Sequence, residues 1–272
     1  MPSILKGKTA IITGASSGIG RATALQMARE GMNLVLASRN GKALEAVSRE
    51  VETMGSRAFA CPTDITSEVQ VASLVDETVR RFGRIDVIVC NAGQLLRREA
   101  ARLRMPEIRQ IMDVNFFGTL NLVYAVLPTM LERRSGHVVV VSSIDGKKGL
   151  PCDTAYVASK FALNGFMDVL RQELRGSGVH ACTILPGRVD TPMIGNLQVP
   201  FGSRKITVDR VARAIVRGIK RNHAEVIVPY LGPKFLVVAS SFSARFGDWL
   251  VRLFKLEGVE EGGGMSHNEV PV

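Results

Sequence analysis

The chain has 272 residues and a formal net charge of +10, and 46% of its residues are hydrophobic while 22% are charged. This mixture is typical of a globular protein and excludes a fibrous or disordered chain, and the length suits one large α/β domain. The cysteines lie far apart and form no CxxC pair, so we expect neither a disulfide framework nor a metal site; they are Cys61, Cys90, Cys152 and Cys182. No signal peptide and no charge-free apolar run of spanning length is found, which favours a cytoplasmic location.

Short β-rich runs alternate with longer segments of helical apolar spacing. Most of the runs are almost continuously apolar, as expected for strands covered on both faces. The pattern predicts an α/β fold: a single-domain Rossmann fold with a doubly wound parallel sheet of about seven strands and helices on both faces. We assign residues 1–257 to this domain and 258–272 to a disordered tail rich in glycine. The predicted strands are 9–13, 33–37, 57–61, 86–90, 137–142, 180–185 and 225–228, and the predicted helices are 18–30, 41–54, 67–82, 107–134, 154–176 and 207–221.

Glycines and polar residues follow the predicted strands at their carboxyl ends, the edge where open α/β sheets bind ligands. The first strand is followed by Thr-Gly-Ala-Ser-Ser-Gly-Ile-Gly at 13–20, which opens a helix. Such glycines let backbone N–H groups approach a pyrophosphate at the positive end of the helix dipole. The alternative is a tight turn that needs glycine only for its conformation. The position after the first strand favours a dinucleotide site.

The end of the second predicted strand selects the cofactor. An acidic residue there would bind the ribose hydroxyl of NAD and repel a 2′-phosphate. This chain has Ser38, Arg39 and Asn40 instead, and a guanidinium pairs well with a phosphate. The alternative is that Arg39 is only a solvated surface charge. Its position favours NADP as the cofactor.

Further motifs follow in chain order: Asp64, Asn91-Ala92-Gly93, Asn115, Ser143, Tyr156-x-x-x-Lys160 and Pro186-Gly187. Together with the glycine loop, they resemble the short-chain dehydrogenase/reductase family over about residues 6–230. One departure is Cys90, where the family usually has asparagine, and we interpret it as a packing position. The resemblance implies that the cofactor is bound by Gly14, Ser16, Ser17, Gly18, Ile19, Gly20, Ser38, Arg39, Asp64, Ile65, Asn91, Ala92, Gly93, Tyr156, Lys160, Pro186, Gly187, Val189 and Thr191.

The same resemblance implies catalytic roles for four residues. Tyr156 would be the acid/base, Lys160 would hold the nicotinamide ribose and lower the tyrosine pKa, Ser143 would orient the substrate oxygen, and Asn115 would support a proton relay. The chemistry is consistent, since residues four apart share a helix face. Lowering a tyrosine pKa by roughly 3 units needs about 4 kcal/mol, which an ammonium about 4 Å away supplies. Taken singly, each residue could equally have a purely structural role.

Substrate selection should depend on a lid segment at 188–206, which the family resemblance implies is flexible. Ser143, Tyr156 and Met193 are the expected substrate contacts. Apolar residues would line the pocket or, alternatively, pack on the core; they are Leu95, Leu96, Leu150, Pro151, Met193, Ile194, Leu197 and Phe201. They favour an apolar ketone or alcohol such as a lipid, steroid or aromatic. A carrier-linked 3-oxoacyl substrate, a non-catalytic NADP sensor, and an isomerase, epimerase or dehydratase remain alternatives.

A net charge of +7 lies between residues 204 and 257. Within it, residues 233–256 have the spacing of an amphipathic helix with a basic polar face. Three interpretations are open: the helix packs on a second subunit, closes the substrate pocket, or lies on an anionic membrane surface. We also expect a homo-oligomer, a dimer or a tetramer. Nucleic acid is not an expected partner, because no recognised motif accompanies the charge.

Overall fold

The structure, a computed structural model, describes residues 3–199, 204–256 and 258–260. Strands and helices alternate along most of it. The strands are β1 Thr9–Thr13, β2 Asn33–Ser38, β3 Ala58–Pro62, β4 Val87–Cys90, β5 Gly136–Val141, β6 Val179–Pro186, β7 Leu197–Gln198, β8 Glu225–Val228 and β9 Val259–Glu260. The helices are α1 Gly18–Arg29, α2 Gly41–Thr53, α3 Glu68–Phe82, α4 Met105–Met112, α5 Gly118–Glu132, α6 Thr154–Glu173, α7 Val208–Lys220, α8 Leu231–Phe242 and α9 Ala244–Leu253.

Seven strands form one parallel sheet in the order β3-β2-β1-β4-β5-β6-β8. The chain winds outward from β1 to β3, then returns to place β4 on the other side of β1. The strand order therefore reverses between β1 and β4, and a crevice opens there at the carboxyl ends. The predicted doubly wound Rossmann fold is confirmed, and all seven predicted strands lie within one residue of their expected bounds at both ends.

Each face of the sheet has its own hydrophobic core. In β1, Ile12 packs with residues of α1, α2 and α7, whereas its neighbour Ile11 packs with residues of α3, α5 and α6. Both side chains are fully buried. Successive side chains of a strand point to opposite faces, so a strand covered on both sides must be apolar at every position. This explains the continuous apolar runs in the sequence.

Residues Met105–Glu132 form one continuous helical rod, in which α4 and α5 are joined by a π-helical turn at Asp113–Phe117. The rod is long and apolar enough to cross a membrane by length and composition. However, its apolar side chains Leu122, Val123, Val126 and Met130 are buried in the core beside the sheet. Packing within the protein therefore accounts for part of its hydropathy.

The C-terminal part differs from the expectation in two respects. Instead of one helix over 233–256 there are two, because the chain is extended at Ser243, whose hydroxyl accepts a hydrogen bond from the Phe246 N–H and caps α9. In addition, Val259–Glu260 pairs as a strand with Leu197–Gln198 of the lid segment. The first residues of the predicted tail thus include a short paired strand, and the rest of that tail, 261–272, lies outside the described residues, so the boundary after residue 257 stays a prediction.

Candidate active site

The loop after β1 turns out of the sheet through glycines in left-handed backbone conformations. Gly14 has φ +63° and Gly18 has φ +53°. A Cβ on Gly14 would lie 2.9 Å from the Ala92 Cα, and one on Gly20 would overlap the Gly14 carbonyl oxygen. Within the described chain, α1 begins with no side-chain cap from Ser17 and no acidic residue in its first turn. Its first N–H groups therefore face the crevice as donors for an anion.

Thr13 and Asn91 join the ends of β1 and β4 beneath this loop. The Thr13 hydroxyl accepts hydrogen bonds from the N–H groups of Asn91, at 3.0 Å, and of Ala92, at 3.1 Å. The Asn91 side-chain amide donates to the Thr13 carbonyl at 3.0 Å. These bonds fix the two loops on either side of the strand reversal. Thr13 belongs to the glycine motif, but its role in positioning the loop could not be recognised without the neighbouring strand.

A cavity of about 750 Å³ lies over these loops. Most of the cofactor residues predicted from the sequence line it: Gly14, Ser16, Ser17, Gly18, Ile19, Ser38, Arg39, Asp64, Ile65, Asn91, Ala92, Gly93, Tyr156, Lys160 and Thr191. Gly20 lies behind the loop, and Pro186, Gly187 and Val189 line a neighbouring smaller cavity instead. Helix α4 adds residues that the sequence did not indicate, Arg109 and Gln110, because nothing in a helical pattern marks the face that meets a ligand.

Arg39 and Asp64 lie at the far end of the large cavity, beyond β2 and β3. Asp64 accepts hydrogen bonds from the Thr66 N–H at 2.9 Å and the Thr66 hydroxyl at 2.8 Å. These bonds, with the nearby Arg39 charge, hold the pKa of Asp64 below its usual value. Asn40 caps α2 by accepting from the Ala43 N–H at 3.1 Å. The Arg39 guanidinium therefore lies at a cavity end where the Asp64 carboxylate is ionised and the Asn40 cap fixes the neighbouring backbone.

Tyr156 and Lys160 are one turn apart on α6, where the large and the small cavity meet. The Lys160 ammonium donates to the Val141 carbonyl at 3.1 Å and lies 5.5 Å from the centroid of the Tyr156 ring. Burial lowers the pKa of Lys160 to about 8. Burial of the hydroxyl, followed by the charge of Asp145, raises the pKa of Tyr156 above its usual value, and a hydrogen bond with Ser143 opposes the rise. Desolvation is thus the largest influence of the protein's own groups on the Tyr156 pKa, and it acts against the lowering expected from Lys160, which stays a prediction.

Ser143 follows β5 and is buried beside Asp145. Its hydroxyl accepts from the Asp145 N–H at 3.0 Å and donates to the Asp145 carboxylate at 3.2 Å. Burial raises the pKa of the Asp145 carboxyl, while the Ser143 hydrogen bond and the charges of Arg188, Arg97 and Lys160 oppose the rise. The Asp145 charge thus acts on Tyr156, the predicted acid/base, and Ser143 hydrogen-bonds to both residues. The sequence offered one unused signal for it, a carboxylate two residues after the serine.

Asn115 lies in the π-helical turn and is completely buried. Its side-chain amide donates to the Gln94 carbonyl and to the Ser159 hydroxyl, both at 2.9 Å, and its side-chain oxygen accepts from the Gln94 N–H at 2.7 Å. The side chain therefore ties the Asn91–Gln94 loop to α6. A π turn re-aims one residue out of helical register, which allows this contact. The predicted proton relay stays a prediction.

The smaller cavity, of about 90 Å³, adjoins Tyr156 on the side away from Arg39. The three predicted substrate contacts, Ser143, Tyr156 and Met193, all line it. Of the predicted apolar lining residues, Leu95, Leu150, Met193, Ile194 and Leu197 are present, Leu96 and Pro151 are not, and Phe201 lies outside the described residues.

Charged side chains also line this cavity, which the sequence did not indicate. They are Arg97, Asp145, Asp153 and Arg188. Arg97 and Asp153 form a nearly buried ion pair with 3.6 Å between Nε and Oδ1. A buried charge needs a partner, and this pair supplies one for each side chain. The cavity therefore has a charged part as well as apolar walls. The charged residues come from three separate connections, those after β4, β5 and β6, and only the fold brings them together.

Fold and cavities together define a dinucleotide-binding oxidoreductase. A sequence model described as short chain dehydrogenase matches residues 8–199. An uncharacterized oxidoreductase of Listeria monocytogenes is 38% identical over 226 residues, which cover 79% of this chain and 91% of the relative. The chain therefore belongs to the short-chain dehydrogenase family, and it is an enzyme acting on CH–OH or carbonyl groups. Cys90, the departure from the family pattern, is buried in the core, and burial raises the pKa of its thiol to about 12.

Solved structures agree with this fold. A short-chain dehydrogenase/reductase from Burkholderia phymatum in complex with NAD superposes with a TM-score of 0.81 at 26% identity, covering 89% of this chain and 95% of that one. A variant of actinorhodin polyketide ketoreductase with NADPH gives a TM-score of 0.76 at 28% identity, covering 81% and 95%. Nicotinamide dinucleotides of both kinds are thus bound by proteins of this fold.

Proposed function

We propose that this enzyme uses NADP(H) to transfer a hydride between the nicotinamide and a carbonyl or secondary alcohol carbon, with Tyr156 as the general acid/base. The observation that carries the proposal is the place of Tyr156, which lines both the large cavity and the small one. A group at this junction can exchange a proton with a substrate oxygen while a cofactor occupies the larger space. Ser143 lies on the substrate side of it and Lys160 on the cofactor side.

The residues present fit a dinucleotide. The glycine loop leaves no room for a Cβ at Gly14, and the N–H groups of α1 supply donors for the pyrophosphate. Arg39 lines the cavity just after β2, and the residues that directly follow β2 include no acid, which supports NADP over NAD. The bound cofactor supplies the hydride chemistry. Lys160, fixed by the Val141 carbonyl, would hold the ribose.

The protonation states favour a role for Tyr156 as proton donor. Because its pKa lies above the usual value, its hydroxyl keeps its proton at neutral pH and can donate it to the substrate oxygen as that oxygen gains charge. Ser143 stabilises the same oxygen by hydrogen bonding once its hydroxyl turns away from Asp145. In the reverse direction Tyr156 must first lose its proton, and a cationic nicotinamide and Lys160 both favour that loss. The protonated hydroxyl is the form that carbonyl reduction requires at the start of the step.

For the substrate, we infer a carbonyl compound with an apolar body and a polar group. Leu150, Met193 and Leu197 supply apolar wall, and the Arg97–Asp153 pair supplies polar contacts. A carrier-linked 3-oxoacyl substrate is the second candidate, since a polyketide ketoreductase is among the similar structures. Family membership disfavours a non-catalytic sensor. The matching family also disfavours an isomerase, epimerase or dehydratase.

Turnover and cofactor binding in the Tyr156→Phe variant test the proposal. A panel of apolar ketones and 3-oxoacyl thioesters, read by NADPH absorbance and repeated with NADH, identifies a substrate first. The variant should lose at least about a hundredfold in kcat, as general acid catalysis usually contributes that much. NADPH should still bind, as shown by its fluorescence. Near-normal turnover would refute the role of Tyr156, and equal use of NADH would refute the cofactor assignment.

We infer that the enzyme is a homo-oligomer, which remains a prediction, as does its cytoplasmic location. An apolar face on two neighbouring helices supports association: Phe117, Tyr124 and Leu131 recur at seven-residue spacing along the rod and are exposed, as are Phe161 and Val169 on α6. Such patches are typical of subunit contacts. Light scattering of purified protein measures the mass, and Tyr124→Glu should shift it to that of one chain if this face is the contact.

A further inference from the structure

Helices α8 and α9, with the two residues that follow, form a C-terminal hairpin at residues 231–255. Its inner side is buried through Ala239, Gly247, Leu250 and Val251, and Gly247 packs directly against Ser240. The two helices are therefore held against each other and against the rest of the protein.

The outer side of the hairpin is apolar and exposed. On α8, the exposed side chains recur at helical spacing at Leu231, Phe235, Val238 and Phe242, and Ala239 is the single buried residue of this helix. On α9 the stripe continues at Phe246, Trp249 and Leu253, followed by Phe254. Phe242 is 88% exposed. Phe246 and Trp249 stack with ring centroids 5.7 Å apart. An apolar surface of this extent marks a binding face, because water contact is unfavourable for every one of these side chains.

The charges on the hairpin indicate what covers this face. It carries the exposed cations Lys234, Arg245, Arg252 and Lys255, and one acid, Asp248, which is bound to Lys148 at 2.5 Å. A second copy meeting it across a two-fold axis would bring the same patch, and thus the same net positive charge, against itself. Aromatic rings flanked by lysine and arginine are instead suited to the interface of a bilayer with anionic headgroups.

We propose that the C-terminal hairpin docks this enzyme on the surface of an anionic lipid bilayer. The aromatic and leucine side chains enter the boundary between headgroups and acyl chains, and the four cations contact lipid phosphates. The proposal is independent of the oxidoreductase reaction, because the hairpin supplies none of the residues that line either cavity.

Trp249 provides a direct test, because it is the only tryptophan in the sequence and lies on the proposed contact face. Full-length protein is mixed with vesicles of phosphatidylcholine alone or with one quarter phosphatidylglycerol. With the anionic vesicles, the Trp249 emission should shift to shorter wavelength and become protected from acrylamide, and the partition coefficient should be at least tenfold higher than with neutral vesicles. The preference should fall several-fold in 0.5 M salt, about three times physiological strength.

Two variants distinguish binding through the hairpin from adsorption through another part of the surface. Phe242→Ser with Phe246→Ser keeps the reporter and should lower partitioning at least tenfold, whereas Val69→Ser, at an exposed apolar site on α3, should leave it unchanged. Unaltered melting temperature and NADPH binding show that each variant is folded. The proposal is overturned if anionic vesicles leave the emission unchanged, or if both variants bind as the parent does. Protection that increases with protein concentration in the absence of vesicles would also overturn it, in favour of a second copy.

Discussion

Removing the charge of Asp145 should lower the pKa at which Tyr156 loses its proton. The Asp145 carboxylate is 3.2 Å from the Ser143 hydroxyl, which also hydrogen-bonds to Tyr156. A second hydrogen bond adds roughly 2.8 Å, so the two acidic oxygens are at most about 6 Å apart. At an effective dielectric of about 20, two negative charges at that distance repel by about 2.8 kcal/mol, which equals about 2 pK units.

Asp145→Asn keeps the shape of the side chain and removes this repulsion. Alcohol oxidation requires the tyrosinate, so kcat/KM should rise with pH and level off above the tyrosine pKa. In the variant, this midpoint should move down by about two units in initial-rate profiles with saturating NADP⁺. Asp190→Asn, the same substitution at an exposed position, should leave it in place. A midpoint in Asp145→Asn that is equal to or higher than in the parent enzyme would refute the electrostatic argument.

Three further predictions concern cofactor selection, loop geometry and pH. Arg39→Ala should raise the KM for NADPH about ten- to a hundredfold and leave the KM for NADH nearly unchanged. Lys42→Ala on the neighbouring helix should leave both KM values unchanged. Equal KM values for NADPH in the two variants, measured by steady-state kinetics, would contradict this prediction. Gly14→Ala should abolish NADPH binding and cost more stability in urea unfolding than Gly55→Ala, because Gly55 also has a positive φ but has open space around it; equal losses would disprove the close approach. Burial lowers the pKa of His137, so the folded state disfavours the protonated imidazole. The contribution of the neutral imidazole to stability is therefore fully present above about pH 6.5 and is lost as the pH falls. Urea unfolding at pH 7.5 and 5.5 should show a smaller difference in His137→Gln, and an unchanged difference would count against this cause.

The sheet could be predicted because its chemistry is local. A strand such as Val87–Cys90, buried on both faces, needs an apolar residue at every position, and that run is visible in the sequence. The same holds for the glycine loop, since Gly14 and Gly18 adopt backbone conformations that favour glycine. The residues at the carboxyl ends of the strands could therefore be gathered at one edge before any side-chain position was known.

Contacts between distant segments could not be predicted. Arg97 and Asp153 are far apart in sequence and meet only because the loop after β4 folds over the start of α6. The raised pKa of Tyr156 has the same origin, because desolvation depends on everything that surrounds the hydroxyl and not on the Lys160 spacing alone. The break at Ser243 was readable in principle, since serine is a favoured helix cap, but the continuous apolar periodicity on both sides concealed it.

The short pairing of Leu197–Gln198 with Val259–Glu260 joins the lid segment to the chain just beyond the C-terminal hairpin, and the Arg188 guanidinium donates to the Leu256 carbonyl beside it. The lid segment over the small cavity is thus joined by hydrogen bonds to the chain that follows the proposed docking face. Thermodynamic reciprocity then applies: if lipid contact changes the affinity for substrate by some factor, substrate must change the affinity for lipid by the same factor. The amount of enzyme on a membrane would in that case respond to how much substrate is present.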